Sequence, residues 1–589
     1  MIALASAQGL LFAALGLARW ATFHNETFDL AFYTRIAWGL AHNDHWEPMV
    51  NAHILGLHIS PVLAPIGLLG RIVGTAPLLI VAQAAALAAA TFPLARIGVR
   101  HLGPSGAVIG ALAWLFHPNL GHVAGYEAHP GALAALPLAW LAWSIDAGSR
   151  RALIVSALSA LACREDLALV TALAALLFAW RHRDAWRPAL GVALASIAYA
   201  LFFFLYLHPT HAPQTGSLEL HFGRFGSSPA QIALYLLAHP LELASHLATP
   251  ARLTYLPSVL APLALLTLAR PGWLLPAAPI LAINLLSEWP TTTSLEVQYL
   301  TPALPFLVAG ALEGAAALRG KLGVVLALAA LTGHVVAGGT PLSIGFDARA
   351  FRPDEDSMAA RAIVAAIPAD ASVQAPDALL SHLAERERVR RAASAEAGFD
   401  YLVLDVGHRR RFATNEDLLR TIEEPIARAW MARDDHRLIA GSGRYLLLER
   451  GRSPREGRGA EAIAGSADPS AGTPIAACLS VLGAALETGV LEGDNVLRLE
   501  LVARGPCPSD LAIRLGTGER PRRVDLLFGG WLSPAHLREG DRLRSRHRLS
   551  PTERARIERD GLRIGALRSS GARPEHEDPT SVPVRLAPR

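Results

Sequence analysis

Asp29 lies in Thr27-Phe28-Asp29-Leu30-Ala31-Phe32-Tyr33, directly after an apolar run over residues 3–20. A carboxylate held on so short a tether at a membrane surface is partly desolvated, which raises its pKa and suits it to take a proton from a hydroxyl. Taken alone, an acidic residue after a span is more often a solvated helix cap. A second group, Arg164-Glu165-Asp166, interrupts two short apolar runs, 152–163 and 165–180. Three adjacent ionisable side chains at membrane depth are costly unless they face a cavity or one another. Two half-depth helices meeting there would put them on a cavity floor within reach of Asp29. A guanidinium matches phosphate geometry, so Arg164 is a candidate phosphate holder, with Glu165 or Asp166 orienting it or binding a divalent cation. The alternative is an ion pair that joins helices.

Histidine gathers in the same places. Of 22 histidines, 13 fall in segments 21–75, 117–130, 208–253 and 288–298, among them His53, His58 and His129. Ionisable groups crowded against an apolar bundle point to a polar cavity; headgroup-facing interfacial residues are the bland reading. The pairs His53/His58, His117/His122 and His208/His211 have spacings a helix or turn could fold onto a metal. None is His-Glu-x-x-His and no third ligand is fixed, so no metal site is assigned. Phosphate loops of the Walker type are missing, which leaves ATP-driven chemistry without support.

These groups must be positioned by a chain of 589 residues with two distinct compositions. Residues 1–340 hold 30 charged side chains, whereas the 249 that follow hold 74. The mean hydropathy of +0.31 exceeds that of an ordinary water-soluble enzyme of this size. Apolar runs near 3–20, 76–97, 105–117, 131–146, 152–163, 165–180, 188–207, 254–269, 272–287, 299–317 and 322–339 read as about 11 transmembrane helices. The first lacks the basic flank and cleavage pattern of a signal peptide. Arg96, Arg100, Arg150, Arg151, Arg181, Arg183, Arg187, Arg270, Arg319 and Lys321 fall in alternate short loops, which puts those loops and the N-terminus in the cytoplasm. An odd number of crossings leaves everything after about residue 340 extracytoplasmic. The net charge of +4 is spread evenly over the two halves, with no basic stripe for nucleic acid, and nucleic acid is not expected as a partner. Cys478 and Cys507 share the water-soluble half and are either bridged, if that half is exported, or two buried thiols.

Residues 34–50 read as an amphipathic helix, with Arg35, His42 and Asp44 on its polar face, and 60–72 as an apolar one; both could lie along the interface. A first span, an acidic residue, two juxtamembrane helices and a second span resemble the GT-C superfamily of membrane glycosyltransferases. The resemblance sharpens to the DUF2079 family of predicted membrane proteins. It is carried by Phe28-Asp29-Leu30, Trp38, His58-Ile59-Ser60-Pro61, Arg164-Glu165-Asp166-Leu167, Glu296-Val297-Gln298-Tyr299 and Asp400-Tyr401-Leu402-Val403-Leu404-Asp405, over about residues 20–450. Each motif is weak alone and the combination is moderately specific. One departure is His129-Pro130-Gly131, where the family has an acidic residue after the proline, so that carboxylate's role is either absent or moved to Glu127.

The resemblance implies transfer of a sugar from a polyprenyl-phosphate-linked donor to an envelope glycan, lipid or protein acceptor on the outer face of the cytoplasmic (inner) membrane. Asp29 would be the catalytic base, and Arg164, Glu165, Asp166, His58, His53, Glu127, His129 and Tyr299 would bind substrate; the cofactor stays unknown beyond the divalent cation considered above. A lipid or solute transporter, and a non-catalytic membrane receptor, are the competing classes. Transporters need access from both sides and usually show internal repeats, and none is visible here.

The expected fold class is an α-helical polytopic membrane protein, GT-C-like over residues 1–340. An exported α/β domain is expected over 341–450, a linker over 451–473 and a C-terminal β-sandwich-like domain over 474–589. The α/β reading rests on helix signals at 355–367, 377–387 and 413–433 alternating with strand signals at 371–375, 400–406 and 437–449. In the last domain Trp531 could stack on a sugar ring, although a lone tryptophan is more often core.

Overall fold

The computed structural model describes residues 1–25, 27–211, 217–318, 322–392, 398–405, 436–442, 445–450, 463–488, 495–508, 511–518, 521, 523–526, 534, 537–568 and 581–587. The expected helix at 413–433, the first part of the linker and Trp531 lie outside the described residues. The chain forms two compact units, Met1–Arg352 with Leu380–Glu387, and Pro353–Leu379 with Arg388–Arg589.

The first unit is helical. Its first twelve helices are α1 (Ile2–Ala21), α2 (Asp29–Ala41), α3 (Leu63–Val73), α4 (Thr75–Ala89), α5 (Thr91–Leu102), α6 (Gly106–Leu115), α7 (Pro118–Gly125), α8 (Pro130–Leu133), α9 (Ala135–Ala147), α10 (Arg150–Leu161), α11 (Ala168–Arg181) and α12 (Trp186–Phe202). Later helices include Leu274–Leu286, Leu304–Ala317 and Leu322–Ala337. Among the described residues, three helical stretches are long and apolar enough to cross a membrane alone: Ile2–Ala21, Thr75–Leu102 and Arg183–His211. The other apolar helices have 10–17 residues, short of the roughly 20 that a full hydrocarbon crossing takes. Leu304–Leu312 is buried at every position, and Trp114 and Trp273 are fully enclosed, so the bundle's centre is packed side chain. Gly67 lets α3 lie on the backbone of α2, since a Cβ there would collide with the Ala37 carbonyl. Gly74, at φ +87°, turns the chain between α3 and α4.

Two helix expectations are corrected. The stretch read as a helix over 34–50 begins five residues earlier, at Asp29, and ends at Ala41; Trp46–Glu47 then pairs antiparallel with Ala52–His53. Its polar face is only partly solvated, with His42 exposed but Arg35 enclosed. Arg35 is 1% exposed, its guanidinium paired with Asp44 and donating to the Glu387 carbonyl at 3.3 Å. The run read as one helix over 254–269 stops at Leu260, because Ala264 and Leu265 adopt left-handed φ values of 51° and 57°. Apolar composition alone cannot distinguish such a break from a continuous span.

Residues 380–387, expected in the exported domain, belong to the helical unit. His382 is stacked on Trp20 (ring centroids 4.5 Å apart) and Phe23 (3.9 Å), and donates to the Trp20 carbonyl at 2.9 Å.

The second unit contains a five-stranded sheet in the order Val389–Arg391, Val373–Ala375, Tyr401–Asp405, Tyr445–Arg450, His436–Ser442, the first three parallel and the rest antiparallel. Two antiparallel sheets follow. One runs Ile463–Ser466, Asp541–Leu549, Asn495–Ala503, Leu479–Thr488, Thr473–Ala476; the other runs Arg523–Leu526, Leu511–Gly516, Leu562–Arg568, Val582–Val584. Leu479, Leu497, Leu499 and Leu543 from the first share a core with Ile513, Leu515 and Ile564 from the second. Ile463–Ser466, read from composition as linker, is an edge strand paired with Asp541–Leu543. Cys478 and Cys507 form a disulfide.

Candidate functional site

Asp29 is the first residue of α2, a helix whose own N-cap residue supplies no side-chain cap. The cap comes from Glu127, about a hundred residues away. Its two carboxylate oxygens accept the backbone N–H groups of Thr27 and Leu30, each at 2.7 Å. A carboxylate at a helix N-terminus satisfies donors the helix leaves open and faces the positive end of its dipole. Glu127 is 1% exposed. Burial, with the Asp29 charge beside it, pushes its carboxyl up to about 8 despite the two amides. Asp29 itself is half-buried and acts electrostatically on Tyr33, Tyr126 and Tyr299.

Tyr33 stands one helical turn after Asp29, hence on the same face of α2. Its hydroxyl is 2.9 Å from Nε2 of His129. The other ring nitrogen of His129, Nδ1, accepts from Gly131 N–H at 3.1 Å, and its backbone N–H donates to Gln83 at 2.9 Å. Pro130 begins α8, so His129 is the N-cap of that helix and its ring is fixed by the capping bond.

Arg164 is the extended residue before a single turn, Glu165–Leu167, that joins α10 to α11. One guanidinium nitrogen pairs with Asp166 at 2.9 Å. Its Nε and the second Asp166 oxygen, both buried, have no hydrogen-bond partner among the described residues. The Arg164 stem passes over Gly131, where a Cβ would lie 4.0 Å from Arg164 Cδ. Glu165 has a different task. Its oxygens take His58 Nδ1 at 2.8 Å and the Ile59 N–H at 2.9 Å, pinning the His58-Ile59-Ser60-Pro61 segment to the α10–α11 junction.

Tyr33 therefore lies among Arg164, Asp29, Glu165 and Asp166, and Tyr299 within electrostatic reach of Asp29 and Arg164. Of the residues singled out in the sequence, Asp29, His58, Glu127, His129, Arg164, Glu165, Asp166 and Tyr299 come together. His53 does not. The short hairpin turns it toward His45 (ring centroids 6.0 Å) and His211 (4.7 Å), and burial followed by those two neighbours lowers its pKa. Sequence reading missed Tyr33, which helix spacing from Asp29 would have shown had the helix been started there. It also missed His221, whose ring lies 6.2 Å from Tyr299 and which burial, with Arg164 and His58 nearby, holds near a pKa of about 4. The carboxylates considered for a divalent cation are engaged, Glu165 by His58 and Ile59 and Asp166 by Arg164. Among the described residues no three His, Cys, Asp or Glu side chains converge as a metal cage would need.

Apolar helices around a buried polar cluster define a mostly helical membrane protein. The chain belongs to the DUF2079 family of predicted membrane proteins, whose model matches residues 19–433. No curated protein matches it. Among solved structures it is similar to the Archaeoglobus fulgidus oligosaccharyltransferase, crystallised in complex with zinc and sulfate. The identity is 12% and the TM-score 0.36, over 77% of this chain and 73% of that one. A likeness this distant transfers neither residues nor activity.

Proposed function

We propose that this protein is a membrane glycosyltransferase that takes a sugar from a polyprenyl-phosphate-linked donor and gives it to a glycan, lipid or protein acceptor on the outer face of the cytoplasmic membrane. The observation that carries the reading is the partly unpaired Arg164 guanidinium, whose stem passes Gly131 beside the His129 ring that holds the hydroxyl of Tyr33, one helical turn after Asp29. In this reaction Asp29 accepts the proton of the acceptor hydroxyl. The acceptor oxygen forms a bond to the anomeric carbon as the bond from that carbon to the phosphate oxygen breaks. The electron pair stays on the departing polyprenyl phosphate, whose growing charge Arg164 meets with a fixed cation. The apolar lipid remains in hydrocarbon while the sugar meets water, and no nucleotide has to be exported.

The orientation has two supports. Arg100, Arg150, Arg181 and Arg270 ion-pair at the end of the bundle away from Asp29, as the positive-inside rule asks of a cytoplasmic end. Cys478 and Cys507 are bridged, a state that persists in an oxidising compartment. In this arrangement the helical domain performs the chemistry and the exported domains beyond it bind or brace. The test is incorporation of label from lipid-linked sugar by membranes containing Asp29→Asn protein. The expected result is loss of incorporation with expression and melting intact, and wild-type incorporation would refute the assignment of Asp29 as base. A reporter fused at Phe28 that reads cytosolic would overturn the orientation.

A further inference from the structure

We infer that the Tyr33 hydroxyl is a catalytic hydrogen-bond donor to the leaving phosphate, with His129 as the residue that positions it; this rests on the glycosyltransferase reading. The argument begins at Gly131. A backbone N–H can only donate, so Nδ1 of His129, which receives it at 3.1 Å, carries no proton. The neutral ring then has its proton on Nε2, which is 2.9 Å from Tyr33 Oη. In that bond the histidine donates and the tyrosine oxygen accepts. The hydroxyl hydrogen of Tyr33 is thereby left over, and no group among the described residues receives it.

A buried O–H donor without an acceptor is unfavourable, so its retention calls for a use. Tyr33 is 3% exposed, and the His129 ring that holds it lies beside Gly131, over which the Arg164 stem passes; Arg164 Nε has no hydrogen-bond partner among the described residues. A fixed cation and a fixed neutral donor, both with spare hydrogens, match an anionic oxygen. A sugar hydroxyl, which is itself a donor, has no need of the cation. Asp29 projects from the same face one turn earlier, where an acceptor hydroxyl would be deprotonated. As the bond from the anomeric carbon to the phosphate oxygen breaks and its electron pair moves onto that oxygen, the Tyr33 hydrogen bond strengthens; the phenol keeps its proton throughout. Burial holds that phenol above its ordinary pKa, so the donor persists across the physiological range.

The test compares wild-type and Tyr33→Phe protein in lipid nanodiscs, with a polyprenyl-phosphate-linked hexose for turnover and polyprenyl phosphate or inorganic phosphate for binding. Removing one preorganised donor to a developing oxyanion lowers kcat by about 100-fold, and the expected pattern is that loss at little changed KM, with polyprenyl phosphate bound roughly tenfold more weakly. Because Tyr33→Phe orphans the His129 N–H, Tyr33→Phe with His129→Phe is measured alongside and should show the same loss. Turnover by Tyr33→Phe within twofold of wild type, or equal affinity of both proteins for polyprenyl phosphate, overturns the inference and leaves the glycosyltransferase reading standing. Wild-type protein that binds polyprenyl phosphate but transfers no sugar sinks that reading, and the catalytic role with it. Inorganic phosphate competing as well as the lipid marks a free-phosphate site and also overturns the inference.

Discussion

The helical unit has two clusters of buried charge joined by α11, which follows Arg164 at one end and carries Arg181 in its last turn at the other. At the Arg181 end the Glu313 carboxylate is fully engaged, while Asp146 keeps one oxygen without a hydrogen bond, 3.7 Å from Arg100 Nε. One oxygen of Glu313 accepts from Arg181 at 2.8 Å and from Trp273 Nε1 at 2.7 Å, the other faces Arg270 at 3.2 Å, and His101 holds Asp146 at 2.6 Å. At the Asp29 end Arg164 Nε, Asp166 Oδ1, Arg35 Nε and Glu47 Oε2 have no partner. The residue types are the same. Among these residues the Asp29 end has more spare hydrogen-bonding capacity, four buried atoms against Asp146 Oδ2 at the other end, and a protein keeps a buried polar atom unsatisfied only where something else offsets the cost.

If that distinction is right, substitutions at the two ends should fail in opposite ways. Arg164→Lys preserves a cation for Asp166 but loses the planar fork, and sugar transfer should fall by about 100-fold while the melting temperature hardly moves. Glu313→Ala should do the reverse. Losing the carboxylate shared by the partly buried Arg181 and the Trp273 N–H, with the exposed Arg270 left to solvent, should cost about 1–3 kcal/mol of stability, read as a lower melting temperature, while the turnover of folded molecules is unchanged. Equal losses of turnover from both variants would erase the contrast.

Much of this was legible in the chain, and what was not has a common cause. The apolar runs, Asp29 and the Arg164 triplet stand out locally, since composition and charge interruption need no partner to be seen. The start of α2 was misplaced because its cap, Glu127, is 97 residues from Leu30 in sequence. Arg35 read only as part of an interfacial helix's polar face because the carbonyl that helps to satisfy it, Glu387, lies 352 residues further on. Tyr33 was lost with the helix start, and Glu313 was absorbed into an apolar span whose ion partners belong to other loops. Long-range satisfaction of polar groups is the part of the fold that periodicity does not encode.

Glu47 offers a probe of the Asp29 end that does not depend on finding a substrate. It is fully buried, with one oxygen accepting from Met49 N–H at 2.9 Å and the other unpartnered. Burial pushes its carboxyl up to about 8, well above its unfolded value of about 4.3. Between those two values the folded protein holds a proton that the unfolded chain has lost. The stability contribution is therefore complete at acid pH and declines as pH rises toward 8, by up to about 1.4 kcal/mol per pH unit. Glu47→Gln mimics the protonated acid and removes Glu47's share of that slope, Glu127 keeping its own, so the variant should match wild type near pH 5 and exceed it above pH 8 in thermal melts. A wild-type melt that is flat over this range would show that Glu47 is ionised and paired.

The smallest effect concerns the strap at residues 380–387. Glu385 Oε1 accepts the Thr75 N–H at 2.6 Å, capping α4, whose own N-cap residue, Gly74, has no side chain to do so. Loss of such a cap costs about 1 kcal/mol, and Glu385→Ala should lower the melting temperature by that much without changing turnover, because the bond stabilises a helix end and touches none of Asp29, Tyr33 or Arg164. A larger fall in turnover than in stability would mean that the strap also holds α2 in place, through the Glu387 carbonyl that Arg35 grips two residues on. The site would then extend into the segment that composition had assigned to the exported half.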